Sequence, residues 1–164
     1  MDASQFESFY HTYVERIYKF VFYRVGGNKE LAQDLTQDVF LKALEAFERY
    51  DPSLGRSAWI YTIARHHLIN QQAKTRPTVD VEEIENTFLV AQDAREDSIH
   101  REEDQALLEA VARLSADEAR LVRMKYLEGW SFDELAEMFG KTSGALRVQA
   151  GRALKKLRSL MRHP

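Results

Sequence analysis

Residues 131–157 read SFDELAEMFGKTSGALRVQAGRALKKL. Ser131 followed by Glu134 is a capping box that starts a helix. Leu135, Met138 and Phe139 give that helix an apolar stripe, and Ala136 is small where a crossing helix must approach closely. Gly140 suits the left-handed residue that ends a helix, and Thr142 or Ser143 can cap the next one. The second helix then buries Leu146, Ala150, Ala153, Leu154 and Leu157, and turns Ala145, Arg147, Gln149, Arg152 and Lys156 outward. Two short helices around a tight turn, the second one basic, form a helix-turn-helix suited to the DNA major groove. Arg pairs bidentately with guanine and Gln with adenine, while Lys and the helix N-terminus suit phosphates. The same pattern also fits an amphipathic hairpin with a solvated basic face.

Helical periodicity extends outward from this unit through most of the 164 residues, and only 7 Gly and 3 Pro interrupt it, so the class is all-α. Phe6, Phe9, Tyr10, Tyr13, Ile17, Phe20 and Val21 mark a first helix ending near Gly26-Gly27. A break near Tyr18 would divide it, giving four helical pieces in the first half. Asn28 caps a helix striped by Leu31, Leu35, Val39, Ala43 and Phe47, which runs to about Tyr50 and stops at Asp51-Pro52. A further helix from about Ser57 buries Trp59, Ile60, Ile63, Ala64 and Leu68 and ends before Pro77. Beyond the middle of the chain a helix begins near Glu103. Ser115, with Glu118 at the capping-box position, then starts another over 116–127.

The net charge of −3 is unevenly spread. Residues 1–74 hold 9 acidic and 9 basic residues, 75–104 hold 10 and 3, and 105–164 hold 7 and 11. Two small helical domains, 1–74 and 105–164, therefore flank an acidic linker at 75–104, and only the last segment is basic. That linker is either a solvated spacer, a nucleic-acid mimic, or a cover for the basic second domain. There are no cysteines, which excludes disulfides, zinc fingers and thiol catalysis. The N-terminus lacks the form of a secretory signal. No apolar run approaches the ~20 residues of a membrane span. A cytoplasmic protein without membrane insertion is the expectation.

Three constellations of polar residues bear on chemistry. Asp34, Gln37, Asp38, Lys42 and Glu45 share one side of a helix without an accompanying His, which fits a solvated or protein-docking face better than a metal site. In 50–74, YDPSLGRSAWIYTIARHHLINQQAK, Tyr50, Trp59 and Tyr61 interleave with Arg56, Arg65, His66, His67, Asn70, Gln71 and Lys74. A polar loop leading into such a helix suits single-stranded DNA, with unstacked bases resting on aromatics; Trp59 itself reads better as core. His66-His67 is a poor metal pair, because adjacent helical residues point about 100° apart. No phosphate loop, metal motif or catalytic constellation is present, so no enzyme activity, metal or cofactor is expected.

Taken together, AQDLTQDVFLKAL at 32–44, SAWIYTIARHHLIN at 57–70 and LSADEARLVRMKYLEGWSFDELAEMFGKTSGALRVQAGRALKKLR at 114–158 resemble a bacterial sigma factor of the extracytoplasmic-function (ECF) group, the small two-domain form of the sigma-70 family. The resemblance implies an alternative sigma factor that binds core RNA polymerase, directs it to specific promoters and assists their melting. The helix at 32–44 is similar to region 2.2, which docks on the polymerase β′ clamp helices, so Asp34, Gln37, Asp38 and Phe40 would make or support that contact; the β subunit is a further implied partner. The 50–74 unit resembles regions 2.3 and 2.4, with Arg56, Ser57, His66, Asn70 and Lys74 implied to hold the melted non-template strand of the −10 element. The second domain resembles region 4, with Thr142, Ser143, Gly144, Arg147, Gln149 and Arg152 implied to face the duplex −35 element. An anti-sigma factor is an implied partner. The family often has Asn where His66 stands and Asp where Asn70 stands, and Ala150-Gly151 is unusual in the recognition helix. A stand-alone helix-turn-helix regulator, or an adaptor or anti-sigma-type module, are the competing readings of the residues.

Overall fold

The computed structural model describes residues 2–75, 106–107 and 109–162. Residues 76–104 of the expected acidic linker, and the expected helix start near Glu103, lie outside them. Among the described residues every regular element is helical.

Helix α1 (Ala3–Arg24) starts on Asp2, whose carboxylate accepts from the Ser4 backbone N–H. It runs unbroken past Tyr18, so the break expected there is absent. Helices kink at Pro, Gly/Ser pairs or π-bulges, and no proline or glycine stands between Ala3 and Arg24, while Ile17, Phe20 and Val21 carry the buried stripe straight through. Gly26 and Gly27, both at positive φ, make the turn that follows. Asn28 Oδ1 then accepts from Leu31 N at 3.1 Å to cap α2 (Lys29–Ala46), and a 3₁₀ turn over Phe47–Arg49 tightens its end. The first half thus holds three α-helices and a 3₁₀ turn, the third being α3 (Arg56–Thr75).

Helical backbone at 109–112 precedes the capping box of Ser115 and Glu118, which opens α4 (Ala116–Val122). The helix expected to reach Leu127 instead widens into a π-turn over Arg123–Leu127, closed by Glu128 N donating to Arg123 O at 3.1 Å. The second capping box, Ser131 with Glu134, opens α5 (Phe132–Phe139), and α6 (Ser143–Arg162) completes the chain's described helices.

Ring contacts among Phe9, Phe40, Phe47 and Trp59 hold α1, α2 and α3 together. A smaller cluster of Val111, Leu114, Val122, Ala153 and Leu157 joins α6 to α4 and to the segment before it. The two halves do not stand apart. Leu121, Met124, Trp130, Leu135 and Leu146 belong to the same buried cluster as Ile17, Phe20, Ile60 and Leu68, with α5 lying against α3. Polar contacts cross the same boundary. Arg24 Nη1 donates to Glu128 Oε1 at 2.7 Å with both side chains buried, Arg16 pairs with Glu134, and Arg120 Nη2 donates to the Tyr61 hydroxyl at 2.9 Å.

Candidate nucleic-acid and polymerase interfaces

Three surfaces carry the residues singled out from the sequence. The first is α6. Gly140 takes the left-handed conformation (φ 62, ψ 31) that ends α5, and Thr142 Oγ1 accepts from Ala145 N at 3.1 Å to start α6. Leu146, Ala150, Ala153 and Leu157 are buried and Leu154 is half-buried, so the predicted apolar face is the observed one. Ala150 is small but fully buried, which is what lets α6 sit close on its neighbours.

The six implied −35 residues do not form a single row. Thr142, Gly144, Arg147, Gln149 and Arg152 are exposed and Ser143 is half-buried. Arg147 lies on one flank, its guanidinium 5.5 Å from the Phe132 ring of α5. Gln149 and Arg152 lie on the other, lining a groove with Ser115, Asp117, Glu118 and Leu121. At 100° per residue, the line directly opposite the buried face is Gly144, Val148, Gly151 and Lys155. Val148 and Lys155, both exposed, are not among the six implied residues, although Lys155 is one of the basic residues that mark this helix in the sequence; their i, i+4, i+7, i+11 spacing was the available signal. A Cβ added at Gly144 or Gly151 would meet nothing within 4 Å, so no packing demands glycine there, and the outermost line of the helix is left low and open.

The second surface is the 50–74 unit. Asp51 accepts from Ser53 N at 2.9 Å, and that hydrogen bond holds its carboxyl below the usual range. The Tyr50 hydroxyl donates to the Leu54 carbonyl while its ring sits 4.9 Å from Trp59; burial pushes the phenol's pKa up. Trp59 is half-buried among Phe9, Phe47 and Tyr50, as its structural reading requires. Arg56, His66, Asn70 and Lys74 are exposed, and the last three form one stripe at i, i+4 and i+8. Ser57 is different. It is 3% exposed, and its hydroxyl donates to Glu137 Oε2 of α5 at 3.2 Å.

The third surface is the outer face of α2. Asp34 and Gln37 are exposed, whereas Phe40 is 5% exposed, its ring 4.9 Å from Tyr10. Phe40 thus underpins this face rather than forming it. Leu41 and Leu44, 59% and 52% exposed, supply the apolar surface that the sequence reading did not identify. Asp38 is shared between surfaces. Its carboxylate is 3.3 Å from His67 Nε2, and together with Leu41, Lys42 and Glu45 it lines one side of a groove whose other side is His67, Asn70, Gln71 and Lys74 of α3. Among the described residues no group of three or more His, Cys, Asp or Glu could hold a metal, and no helix is long and apolar enough to cross a membrane.

The Sigma-70 region 2 family model matches residues 9–78, and the Sigma-70, region 4 model matches residues 104–157. The ECF RNA polymerase sigma factor BldN of Streptomyces coelicolor is 32% identical over 98% of this chain, which spans 61% of that protein's length. The RNA polymerase sigma factor CarQ of Myxococcus xanthus is 30% identical, with 95% of this chain and 88% of CarQ covered. In fold, the chain is similar to the sigma factor RpoE of Bartonella quintana, solved with the anti-sigma factor NepR (TM-score 0.60, 20% identity, 98% of this chain and 99% of that one). It is also similar to CnrH, solved with the cytosolic domain of CnrY (TM-score 0.56, 18% identity, 98% and 89%). With both family models matched in order along one chain, and a relative of 30% identity covered over most of its length, the protein belongs to the ECF group of the sigma-70 family.

Proposed function

We propose that this chain is an alternative sigma factor: it binds core RNA polymerase, brings it to a specific set of promoters and helps to melt them. The observation that carries this reading is the pairing, in one chain, of an outward basic recognition helix with a second unit in which an exposed polar stripe follows the packed Tyr50–Trp59 pair along the chain. In this reading residues 1–74 form the polymerase and −10 unit, 75–104 the linker and 105–164 the −35 unit. Asp34, Gln37 and Asp38, with Leu41 and Leu44 beside them and Phe40 beneath, dock on the polymerase. Arg56, Ser57, His66, Asn70 and Lys74 hold the melted non-template strand. Thr142, Ser143, Gly144, Arg147, Gln149 and Arg152 face duplex DNA at −35.

The low line of Gly144, Val148 and Gly151 lets the α6 backbone approach base edges, Val148 offers an apolar contact to thymine methyls, and Lys155 meets a phosphate. The protein performs no covalent chemistry. Melting draws its free energy from the capture of unstacked bases together with polymerase contacts. The site of action is the cytoplasm, and an anti-sigma factor is the expected regulator.

The deciding experiment adds the purified chain to core polymerase and measures initiation on a panel of candidate promoters. Association with core and promoter-specific transcripts are expected. Specific duplex binding without any association with core would replace this reading by that of a stand-alone regulator. Within a responsive promoter, Lys155→Ala should weaken binding on all sequences alike and reduce the salt slope by about 1, whereas Arg147→Ala should cost about 1–3 kcal/mol and relax preference at one position.

A further inference from the structure

His67 is used by none of the contacts proposed above. Its neighbour His66 is exposed in the polar stripe with Asn70 and Lys74, but adjacent helical residues point about 100° apart, and that rotation turns His67 inward, on the flank of α3 that faces α2. Its side chain is 7% exposed. A polar ring taken out of water costs free energy unless it is hydrogen-bonded. The partner of His67 is Asp38 of α2, whose Oδ2 lies 3.3 Å from Nε2. An ionised carboxylate only accepts, so Nε2 carries the hydrogen and donates it.

The two ends of this pair are unequally exposed. The imidazole is enclosed, and its segment of α3 is anchored by Ala64 and Leu68, both buried. The Asp38 side chain is 48% exposed and stands on the outer stripe of α2 with Asp34, Gln37 and Leu41. One hydrogen bond therefore ties a solvent-facing carboxylate to a ring that packing holds still. Without it, the carboxylate is free to turn among its staggered rotamers. Lys42 and Lys74 rim the same groove, but both are exposed on long flexible stems, and such side chains lose much of the gain of an ion pair to their own ordering. A partner that meets Asp38 already fixed does not have to order it, so that cost is met when the chain folds rather than when it binds.

We propose that His67 is a positioning residue for polymerase docking: from within α3 it orients the Asp38 carboxylate on α2 for the contact with core polymerase, and itself touches neither polymerase nor DNA. The helix assigned to the melted strand thus shapes the docking face from behind. This inference rests on the docking role proposed above for Asp38.

The test measures the affinity of the full chain for core polymerase at fixed salt and pH, with the thermal midpoint of each variant beside it. His67→Leu fills the same place without a donor. It should bind core about three- to tenfold more weakly, while its thermal midpoint stays level, because the half-exposed Asp38 turns to water and no buried charge is stranded. His67→Gln, whose amide nitrogen takes the place of Nε2, should bind core like the unmodified chain. In an Asp38→Ala background, where the carboxylate to be oriented is gone, His67→Leu should weaken binding no further. Unchanged affinity in His67→Leu, no rescue by glutamine, or an equal loss in both backgrounds overturns the positioning role. So does an Asp38→Ala variant that binds core like the unmodified chain, an outcome that leaves the sigma-factor reading standing. Failure of the unmodified chain to associate with core overturns that reading, and the inference with it.

Discussion

Arg24 and Arg123 converge on Glu128 in a site closed to water, with Arg24 Nη1 also donating to the Phe20 carbonyl at 2.7 Å and its guanidinium 3.6 Å from the Phe20 ring. Burial, reinforced by the positive charge of Arg24, lowers the Arg123 pKa to about 10. Because this folded-state value lies below the ordinary one, the penalty on the charged guanidinium is fully present at neutral pH and is relieved only as pH rises past about 10. Glu128→Gln removes the carboxylate that the Arg24 and Arg123 guanidiniums share and should cost about 3–5 kcal/mol. Urea unfolding measures it, and an unchanged midpoint would contradict this account.

At the scale of elements, the helix starts are carried by local chemistry. In α4, Ser115 Oγ accepts from Glu118 N at 3.2 Å while Ser115 N donates to Glu118 Oε2 at 2.9 Å; α5 repeats the arrangement with Ser131 and Glu134. Ser115→Ala should cost about 1 kcal/mol of stability, measurable as a lowered thermal midpoint. The hydrogen bond from Ser115 N, followed by Lys156, lowers the Glu118 pKa. The contribution of the Glu118 carboxylate is therefore complete above the ordinary carboxylate range and is lost as pH falls through the lowered value. An acid titration of a Glu118→Gln variant beside the unmodified chain should show the two converging at low pH. The π-turn at Arg123–Leu127 is a different kind of element. Its i+5 bond from Glu128 N to Arg123 O widens the helix by one residue, and Glu128 follows into the buried site while Tyr126 stays exposed.

For the whole molecule, the question is how firmly the halves are joined. Trp130 is fully buried, its ring 6.3 Å from Tyr13 of α1, with Nε1 donating to Glu128 Oε2 at 3.1 Å. It is therefore a reporter of separation. In a Trp59→Phe background the remaining emission should shift to longer wavelength when core polymerase is added. Emission unchanged by polymerase binding would mean that the halves stay together in the complex.

The elements and the family were legible in the sequence because their causes are short-range. Capping boxes act over three residues, a left-handed glycine acts at its own position, and an amphipathic stripe repeats within a few turns. That is why Asn28, Ser115, Ser131, Gly140 and Thr142 stand where the pattern put them. The exposed Arg147, Gln149, Arg152, His66, Asn70 and Lys74 follow from the same periodicity. The continuity of α1 past Tyr18 was legible in the absence of proline and glycine; the π-turn, the burial of Ser57 and the exposure of Leu41 and Leu44 were not. Each depends on what packs alongside, and those partners come from elsewhere in the chain: Glu137 lies 80 residues from Ser57, and Glu128 lies 104 from Arg24. Charge counted along the chain separates two segments. Only the tertiary structure brings the carboxylates of one onto the arginines of the other, because such contacts depend on shape and distance in space, which no local pattern encodes.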